Sequence, residues 1–217
     1  LNKIALLRNA RGSNYPSLKD FANRAIDCGV DRLTLHVRPD QRHATCKDAY
    51  IVSELCKSNN IEFNLEGNPF SLKKGNFEGF ENLARNTNPE QVTLVPDEEK
   101  QITSNHGWKN GAHDEELTKI IERLKIQHRV SIFIDPNIDC VDYATSMYSD
   151  AVEIYTGPYA KSFKAKEYKN QIEDIKSVSQ YAKSKGLLVN AGHDLNLENI
   201  SKLVETNLID EVSIGHA

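Results

Sequence analysis

Side chains able to transfer protons or bind anions recur in this sequence directly after short apolar runs. The first case is the stretch 33–43, in which the run LTLHV contains His36 and leads into Arg38, Arg42 and His43. Imidazoles exchange protons near neutral pH, and guanidinium groups bind phosphate through paired hydrogen bonds. The stretch therefore predicts a buried strand that ends in a polar, cationic site.

Two carboxylates and two further histidines extend this pattern. Glu66 and Glu153 lie inside apolar runs, and His193 and His216 each follow a glycine. A buried carboxylate is costly unless it is paired or used, and burial raises its pKa toward that of a working acid or base. Each residue alone has a structural explanation, such as a hydrogen-bonded histidine at a strand end. Their joint position after apolar runs favours an enzyme.

The elements that must position these residues alternate along the chain. Eight apolar segments predict buried strands: Asn2–Leu6, Arg32–Val37, Ile61–Glu66, Gln91–Val95, Val130–Ile134, Ala151–Tyr155, Leu187–Asn190 and Glu211–Ile214. The segments between them predict helices: Leu18–Cys28, Ala44–Ser58, Gly79–Asn86, Asp114–His128, Asn137–Tyr148, Lys164–Lys185 and Leu197–Thr206. Such alternation predicts one α/β domain over residues 1–217, a (β/α)₈ TIM barrel of eight parallel strands.

In a barrel of this kind the active site lies at the carboxyl ends of the strands, where glycines after strands seven and eight commonly hold phosphate. Gly192-His193 and Gly215-His216 stand at those two places. The basic residues after strand two predict a second anion site. The segments Pro69–Gly79 and Thr103–Gly111 predict loops, and the second is a candidate for a loop that closes over the site.

Composition excludes several classes of protein. The net charge is −4, which gives no general reason to expect binding to nucleic acid or to an acidic membrane surface. No apolar run reaches the roughly 18 residues of a spanning helix, and the start has no signal-peptide pattern. The 4 cysteines show no C-x-x-C or metal spacing. We therefore expect reduced thiols and a cytoplasmic location.

Seven ordered motifs resemble the pyridoxine 5′-phosphate synthase family, the ring-closing enzymes of vitamin B6 biosynthesis. They are Leu7-Arg8-Asn9-Ala10-Arg11-Gly12, His36-x-Arg38-x-x-x-Arg42-His43, Asn64-Leu65-Glu66, Leu94-Val95-Pro96, Glu153-Ile154-x-Thr156-Gly157, Val189-Asn190-Ala191-Gly192-His193 and Ile214-Gly215-His216-Ala217. The resemblance spans the chain. It implies a (β/α)₈ barrel that assembles into homo-octamers built from dimers.

The activity implied by this resemblance is condensation of 3-amino-2-oxopropyl phosphate with 1-deoxy-D-xylulose 5-phosphate. The products are pyridoxine 5′-phosphate, phosphate and water, and no metal or organic cofactor is implied. By matching motif, His36 and Glu66 would accept protons, His193 would donate one, and Glu153 would stabilise charge in the transition state.

The same motifs imply two sets of substrate contacts. Arg38, His43 and Thr103 would hold the deoxyxylulose phosphate. The second set would hold the amino-oxopropyl phosphate, and it consists of Arg11, Gly215, His216 and the backbone amide of Asp194.

The sequence departs from the family pattern at three places. Asn2-Lys3 replaces Asp-His, although Lys3 can still donate to a hydroxyl or phosphate. Asp194 replaces a glycine, so its N–H can face a phosphate while its carboxylate must point away. The loop after the third strand is longer than usual.

The family also has a residue just before Leu1 and a helix after Ala217, so we expect the natural protein to be longer at both ends.

Two other functions stay open at this point. A metal-dependent barrel hydrolase would use the same residue types, but no H-x-H or H-E-x-x-H occurs in the chain. A non-catalytic barrel that only binds a phosphorylated metabolite would explain the changes at Asn2, Lys3 and Asp194.

Overall fold

The computed structural model describes residues 1–111 and 113–215, and these divide into two compact units. The first comprises Leu1–Ile102 and Leu124–Arg129, and the second comprises Thr103–Arg123 and the residues from Val130 onward. No helix in the described residues is long and apolar enough to cross a membrane.

The first unit pairs its strands in chain order. Its elements are α1 (Asn2–Ala10), α2 (Leu18–Asp27), β1 (Arg32–His36), α3 (Cys46–Asn59), β2 (Glu62–Gly67), α4 (Phe80–Thr87) and β3 (Gln91–Leu94). β1 pairs with β2 and β2 with β3, both in parallel. Alternate apolar side chains such as Leu35 and Leu65 are fully buried, and the burial of these chains stabilises the sheet.

Local signals set the helix ends in this unit. The Ser17 side chain accepts a hydrogen bond from the backbone N–H of Asp20 and so caps α2. At α3, Thr45 and Asp48 form a reciprocal capping box, and Asn60 ends the helix in the left-handed region. These caps are short-range, so the sequence alone locates them.

The second unit has the same alternation. It carries α5 (Asp114–Leu124), β4 (Arg129–Ile134), α6 (Ile138–Ser146), β5 (Ala151–Tyr155), α7 (Gly157–Lys164), α8 (Lys169–Ser184), β6 (Leu188–Gly192), α9 (Ile200–Val204) and β7 (Glu211–Ser213). β4, β5, β6 and β7 pair in that order, all in parallel. Sequential parallel strands with intervening helices confirm the predicted α/β, TIM-type fold class.

The first predicted strand is wrong, because Asn2–Leu6 lies in helix α1. The described residues accordingly contain seven strands rather than eight. The segment NKIALLRNA has one β-branched residue, and Ala, Leu, Lys and Arg favour helix. Long-range contacts stabilise the helix: Ala5 is fully buried, and the Arg8 guanidinium binds the Asp48 carboxylate at 2.6 and 2.8 Å.

The predicted helix Lys164–Lys185 corresponds to α8, and a separate helix that was not predicted, α7, precedes it and ends at Lys164. Pro158 lies in the first turn of α7, where a helix tolerates proline. Lys166, at φ 61°, lies outside the helical region of the backbone and separates α7 from α8. The predicted helix Leu197–Thr206 also shortens to α9. The Asn196 side chain accepts from the backbone N–H groups of Glu198 and Asn199, which favours a turn before that helix.

The two predicted loops are each attached to the body of their own unit. Phe77 in the loop 69–79 is fully buried, and it exchanges two backbone hydrogen bonds with Lys74. In the loop 103–111, the Gly107 N–H donates to Asp135 Oδ1 at 3.0 Å and the Trp108 N–H donates to the Phe133 carbonyl at 3.0 Å. The centre of that loop is thus pinned beside the end of β4. Its closure over a site stays a prediction.

Candidate active site

The His36 cluster, in the first unit, consists of His36, Arg38, His43, Glu66 and Asp97. Parallel pairing places His36 directly opposite Glu66, at the carboxyl ends of β1 and β2. His36 Nδ1 lies 3.4 Å from Glu66 Oε1, and His36 Nε2 lies 3.7 Å from Asp97 Oδ2. The imidazole is buried between two carboxylates, one near each ring nitrogen.

Arg38 is buried in this cluster and already has protein partners. Its guanidinium is in close contact with the Asp97 carboxylate, and it donates to the Gln101 carbonyl at 2.6 Å. The neighbouring Arg42, which the sequence left without a role, donates to Asp40 and to the carbonyls of Glu99 and Gln101. Arg42 therefore ties the loop after β1 to the loop after β3.

His43 is uncharged at neutral pH. Burial, followed by the positive charges of His36, Arg38 and Arg42, lowers the pKa of His43 to about 4. Its ring lies edge-on to that of His36, with 5.9 Å between the centroids. A neutral imidazole contributes a hydrogen bond to a phosphate rather than a charge, and the charge must come from a guanidinium or an ammonium group.

The remaining candidate site residues of the first unit lie in helix α1 or directly after it. The Asn2 side chain accepts a hydrogen bond from the backbone N–H of His36 at 3.1 Å, so Asn2 helps to position the backbone of His36. Lys3 is half-buried, and Arg11 is exposed at the end of α1. Arg8 is committed to Asp48: burial raises the pKa of this carboxyl, but hydrogen bonds from Arg8 and Thr45 outweigh it and hold the pKa below its usual value.

The His193 cluster, in the second unit, consists of Thr103, Glu153, Tyr155, His193 and Asp194. Glu153 is buried on β5, and a Cβ atom on Gly192 of β6 would lie 2.2 Å from its Oε1. The carboxylate therefore occupies the space that any side chain at position 192 would take. This close approach explains the glycine that precedes the histidine.

The His193 imidazole has a polar neighbour at each nitrogen. Nε2 lies 3.0 Å from Thr103 Oγ1, and Nδ1 lies 3.0 Å from Asp194 Oδ2. The Tyr155 ring packs edge-on against it, with 5.0 Å between the centroids. The carboxylate of Asp194, which we expect to point away from a phosphate, lies toward the histidine. Burial, and then the charges of Asp194 and Asp135, raise the pKa of Tyr155.

The remaining predicted contacts lie beyond β7. Gly215 is exposed, and no atom lies within 4 Å of a Cβ built there, so its backbone is open to a ligand. His216 lies outside the described residues. Within residues 1–111 and 113–215, no three His, Cys, Asp or Glu side chains are grouped as a metal site would require.

Asp97 and Tyr155 were not among the site residues predicted from the sequence. Asp97 follows Val95-Pro96 directly after β3, and Tyr155 is the last residue of β5, so both stand at strand ends. The signal used for the other candidates therefore applied to these two as well. The spacing of Thr45 and Asp48 in the sequence also indicates their capping box, but it does not indicate the ion pair between Asp48 and Arg8.

Comparison with known proteins shows the family. The family model described as "Pyridoxal phosphate biosynthesis protein PdxJ" matches residues 1–217. A pyridoxine 5′-phosphate synthase of Cytophaga hutchinsonii is 45% identical over 222 residues, which cover 100% of this chain and 87% of that protein. One from Xanthomonas axonopodis pv. citri is 40% identical over 219 residues, covering 100% of this chain and 86% of that protein.

Solved structures share the fold at low identity. Thiamine phosphate pyrophosphorylase from Pyrococcus furiosus matches with a TM-score of 0.61 at 10% identity, covering 92% of this chain and 79% of that one. The Amycolatopsis orientalis BexX/CysO complex matches with a TM-score of 0.59 at 12% identity, covering 92% and 75%. These two support the fold alone. Because its family model and its curated relatives match over the full length, the chain belongs to the PdxJ family of pyridoxal phosphate biosynthesis proteins and is a biosynthetic enzyme.

Proposed function

We propose that this enzyme condenses 3-amino-2-oxopropyl phosphate with 1-deoxy-D-xylulose 5-phosphate to form pyridoxine 5′-phosphate, phosphate and water. The names of the curated relatives support the product. The observation that carries the proposal is the His36–Glu66 pair, an imidazole and a carboxylate 3.4 Å apart at adjacent strand ends. Such a pair suits a reaction that removes several protons in succession.

The reaction requires proton transfers of opposite sense. The amine attacks a ketone, and the carbinolamine that forms loses water to give an imine. A carbon-bound proton then leaves and phosphate is eliminated, and an aldol-type closure with loss of water makes the ring aromatic. In this proposal His36 and Glu66 accept protons, while His193 donates one to a departing oxygen. Glu153 stabilises positive charge that develops in the transition state.

The phosphate groups are held by hydrogen bonds and charge. Arg38, neutral His43 and Thr103 bind the deoxyxylulose phosphate. A guanidinium has five N–H donors, so contacts to Asp97 and to the Gln101 carbonyl leave Arg38 able to bind a phosphate as well.

The other predicted residues bind the second phosphate and the remaining polar groups of the substrates. Arg11, Gly215, His216 and the backbone N–H of Asp194 bind the amino-oxopropyl phosphate. Asn2 and Lys3 act as donors to substrate hydroxyl or phosphate oxygens, and Lys3 supplies a fixed positive charge. Acid–base and imine chemistry of this kind needs no metal or organic cofactor.

The proposed setting is a cytoplasmic homo-octamer assembled from dimers, as the family resemblance implies. Light scattering on the purified protein measures the mass of the assembly against the 24.5 kDa chain. A stable monomer would contradict this part of the proposal and leave the proposed reaction open to its own test.

The decisive experiment supplies both substrates and follows the absorbance of the pyridine product, with each substrate alone as the control. Product formation only with both substrates is the expected result, and it should survive a metal chelator. Binding of both substrates without product would instead favour a non-catalytic phosphometabolite-binding barrel. Turnover that is lost to chelator and restored by zinc would favour metal-dependent chemistry.

A further inference from the structure

We propose that the Asp194 side chain is a positioning residue for His193, holding a proton on Nδ1 so that Nε2 carries out the proton transfer. This inference rests on the proposed role of His193 as the proton donor. It assigns to the Asp194 carboxylate a role distinct from the phosphate contact proposed for its backbone N–H.

The first observation is a strained backbone at this pair. His193 has φ 91° and Asp194 has φ 59°, so two consecutive residues with side chains lie in the left-handed region. Glycine adopts this region at no steric cost, whereas an L side chain does so only when surrounding structure imposes it. A bulky pair at this place is unfavourable for folding and points to a role for the side chains.

Buried groups impose that conformation. Thr156 Oγ1 lies 2.6 Å from the carbonyl oxygens of both Gly192 and His193, and the Asn199 side-chain amide donates to the Asp194 carbonyl at 3.0 Å. Thr156 is fully buried and Asn199 is 2% exposed. The three successive carbonyls are therefore held from the interior of the second unit, and the turn keeps its shape whichever side chain stands at position 194.

The turn brings the Asp194 carboxylate to the His193 ring. Asp194 Oδ2 lies 3.0 Å from Nδ1, although the two atoms are not aligned as in a hydrogen bond. Catalytic hydrogen bonds are often poorly aligned without substrate and tighten in the complex. The Asp194 side chain is 47% exposed, so it is free to rotate into line.

This contact has a chemical consequence for the opposite nitrogen. A carboxylate at Nδ1 accepts the Nδ1–H and so fixes the tautomer and the orientation of the ring, as in other histidines oriented by a carboxylate. The imidazolium then gives its Nε2 proton to the departing oxygen and becomes the neutral Nδ1–H tautomer. In that tautomer Nε2 can accept a hydrogen bond from Thr103 Oγ1, which lies 3.0 Å away.

Three variants separate positioning from a merely structural role. Asp194→Gly removes the carboxylate and relieves the strain, so we expect Tm to rise by roughly 2–4 °C while kcat falls about tenfold or more and KM changes little. Asp194→Asn keeps an acceptor oxygen but loses the negative charge, so kcat should fall between the values of the wild type and of Asp194→Gly. The control Asn207→Gly relieves an exposed left-handed residue (φ 55°) of the same unit, and it should raise Tm with kcat unchanged.

A direct measurement of the His193 tautomer completes the test. ¹⁵N NMR of the histidine side chains, recorded at a pH where the rings are uncharged and with His193 assigned by its loss in His193→Asn, should show the Nδ1–H tautomer in the wild type and in Asp194→Asn. Asp194→Gly should shift His193 toward the Nε2–H tautomer. Unchanged kcat in Asp194→Gly, or an unchanged tautomer, would overturn the inference. An inactive wild type would refute the proposed function, and the tautomer would still decide the positioning role.

Discussion

Arg38 and Asp97 form a buried ion pair between the loop after β1 and the loop after β3. Arg38 is 4% exposed and Asp97 is 6% exposed. The same carboxylate lies 3.7 Å from His36 Nε2, so one acidic group faces both a proposed phosphate ligand and a proposed base. Asp97 therefore holds the positive charge of Arg38 in place and links it to the imidazole.

Removing the Asp97 carboxylate should destabilise the fold. Asp97→Ala leaves Arg38 charged and buried without this partner, and the expected loss in free energy of unfolding is about 3–5 kcal/mol, measured by urea denaturation. The control Asp40→Ala removes the more exposed partner of Arg42 and should cost about 1 kcal/mol or less. Similar losses in the two variants would contradict the importance of burial.

Replacing His193 should separate chemistry from binding. His193→Asn keeps a polar side chain of similar size but removes the proton donor, so kcat should fall by about 10²–10⁴-fold. Calorimetry should show nearly unchanged binding of the substrates, because other groups hold the phosphates. His113→Asn, at an exposed histidine, is the matched control. Substantial turnover in His193→Asn would show that the proton donor is another residue.

His43 should make the protein less stable in acid. Its pKa is about 4 when folded and about 6.5 when unfolded, so the unfolded chain binds the extra proton between those values. This contribution to stability is complete above pH 6.5 and is lost as the pH falls toward 4, by about 2 kcal/mol at pH 5. In His43→Gln the fall in unfolding free energy between pH 7.5 and pH 5 should shrink by that amount. His113→Gln should keep the wild-type dependence.

A side chain at position 192 should displace the Glu153 carboxylate. A Cβ there would lie 2.2 Å from Glu153 Oε1 and 3.1 Å from the Ser213 Cβ, so Gly192→Ala forces the buried carboxylate to move. A shift of about 1 Å in a reacting group costs about 10²-fold in rate, which is the expected loss of kcat. Gly111→Ala, whose nearest atom would be 3.7 Å away, should leave kcat unchanged. A fully active Gly192→Ala would contradict the role of Glu153.

Much of the fold was predictable because its signals are local. Seven strands stand within a residue or two of their predicted places, since buried strands are marked by short apolar runs between turn residues. The strand predicted at Asn2–Leu6 was wrong because a short apolar run has neither the length nor the periodicity that distinguishes a strand from a helix. The Ala5 burial and the Arg8–Asp48 contact that stabilise α1 depend on residues far along the chain.

By itself, the sequence determined the order of strands and helices, the family, and which reactive side chains follow strands. Only the tertiary structure decided the partners of those side chains. Arg38 meets Asp97 across 59 positions, and Thr103 meets His193 across 90. The structure also turned Asp194 toward His193. Such contacts depend on strand register and on backbone torsion imposed by buried groups, and no local pattern in a sequence specifies either.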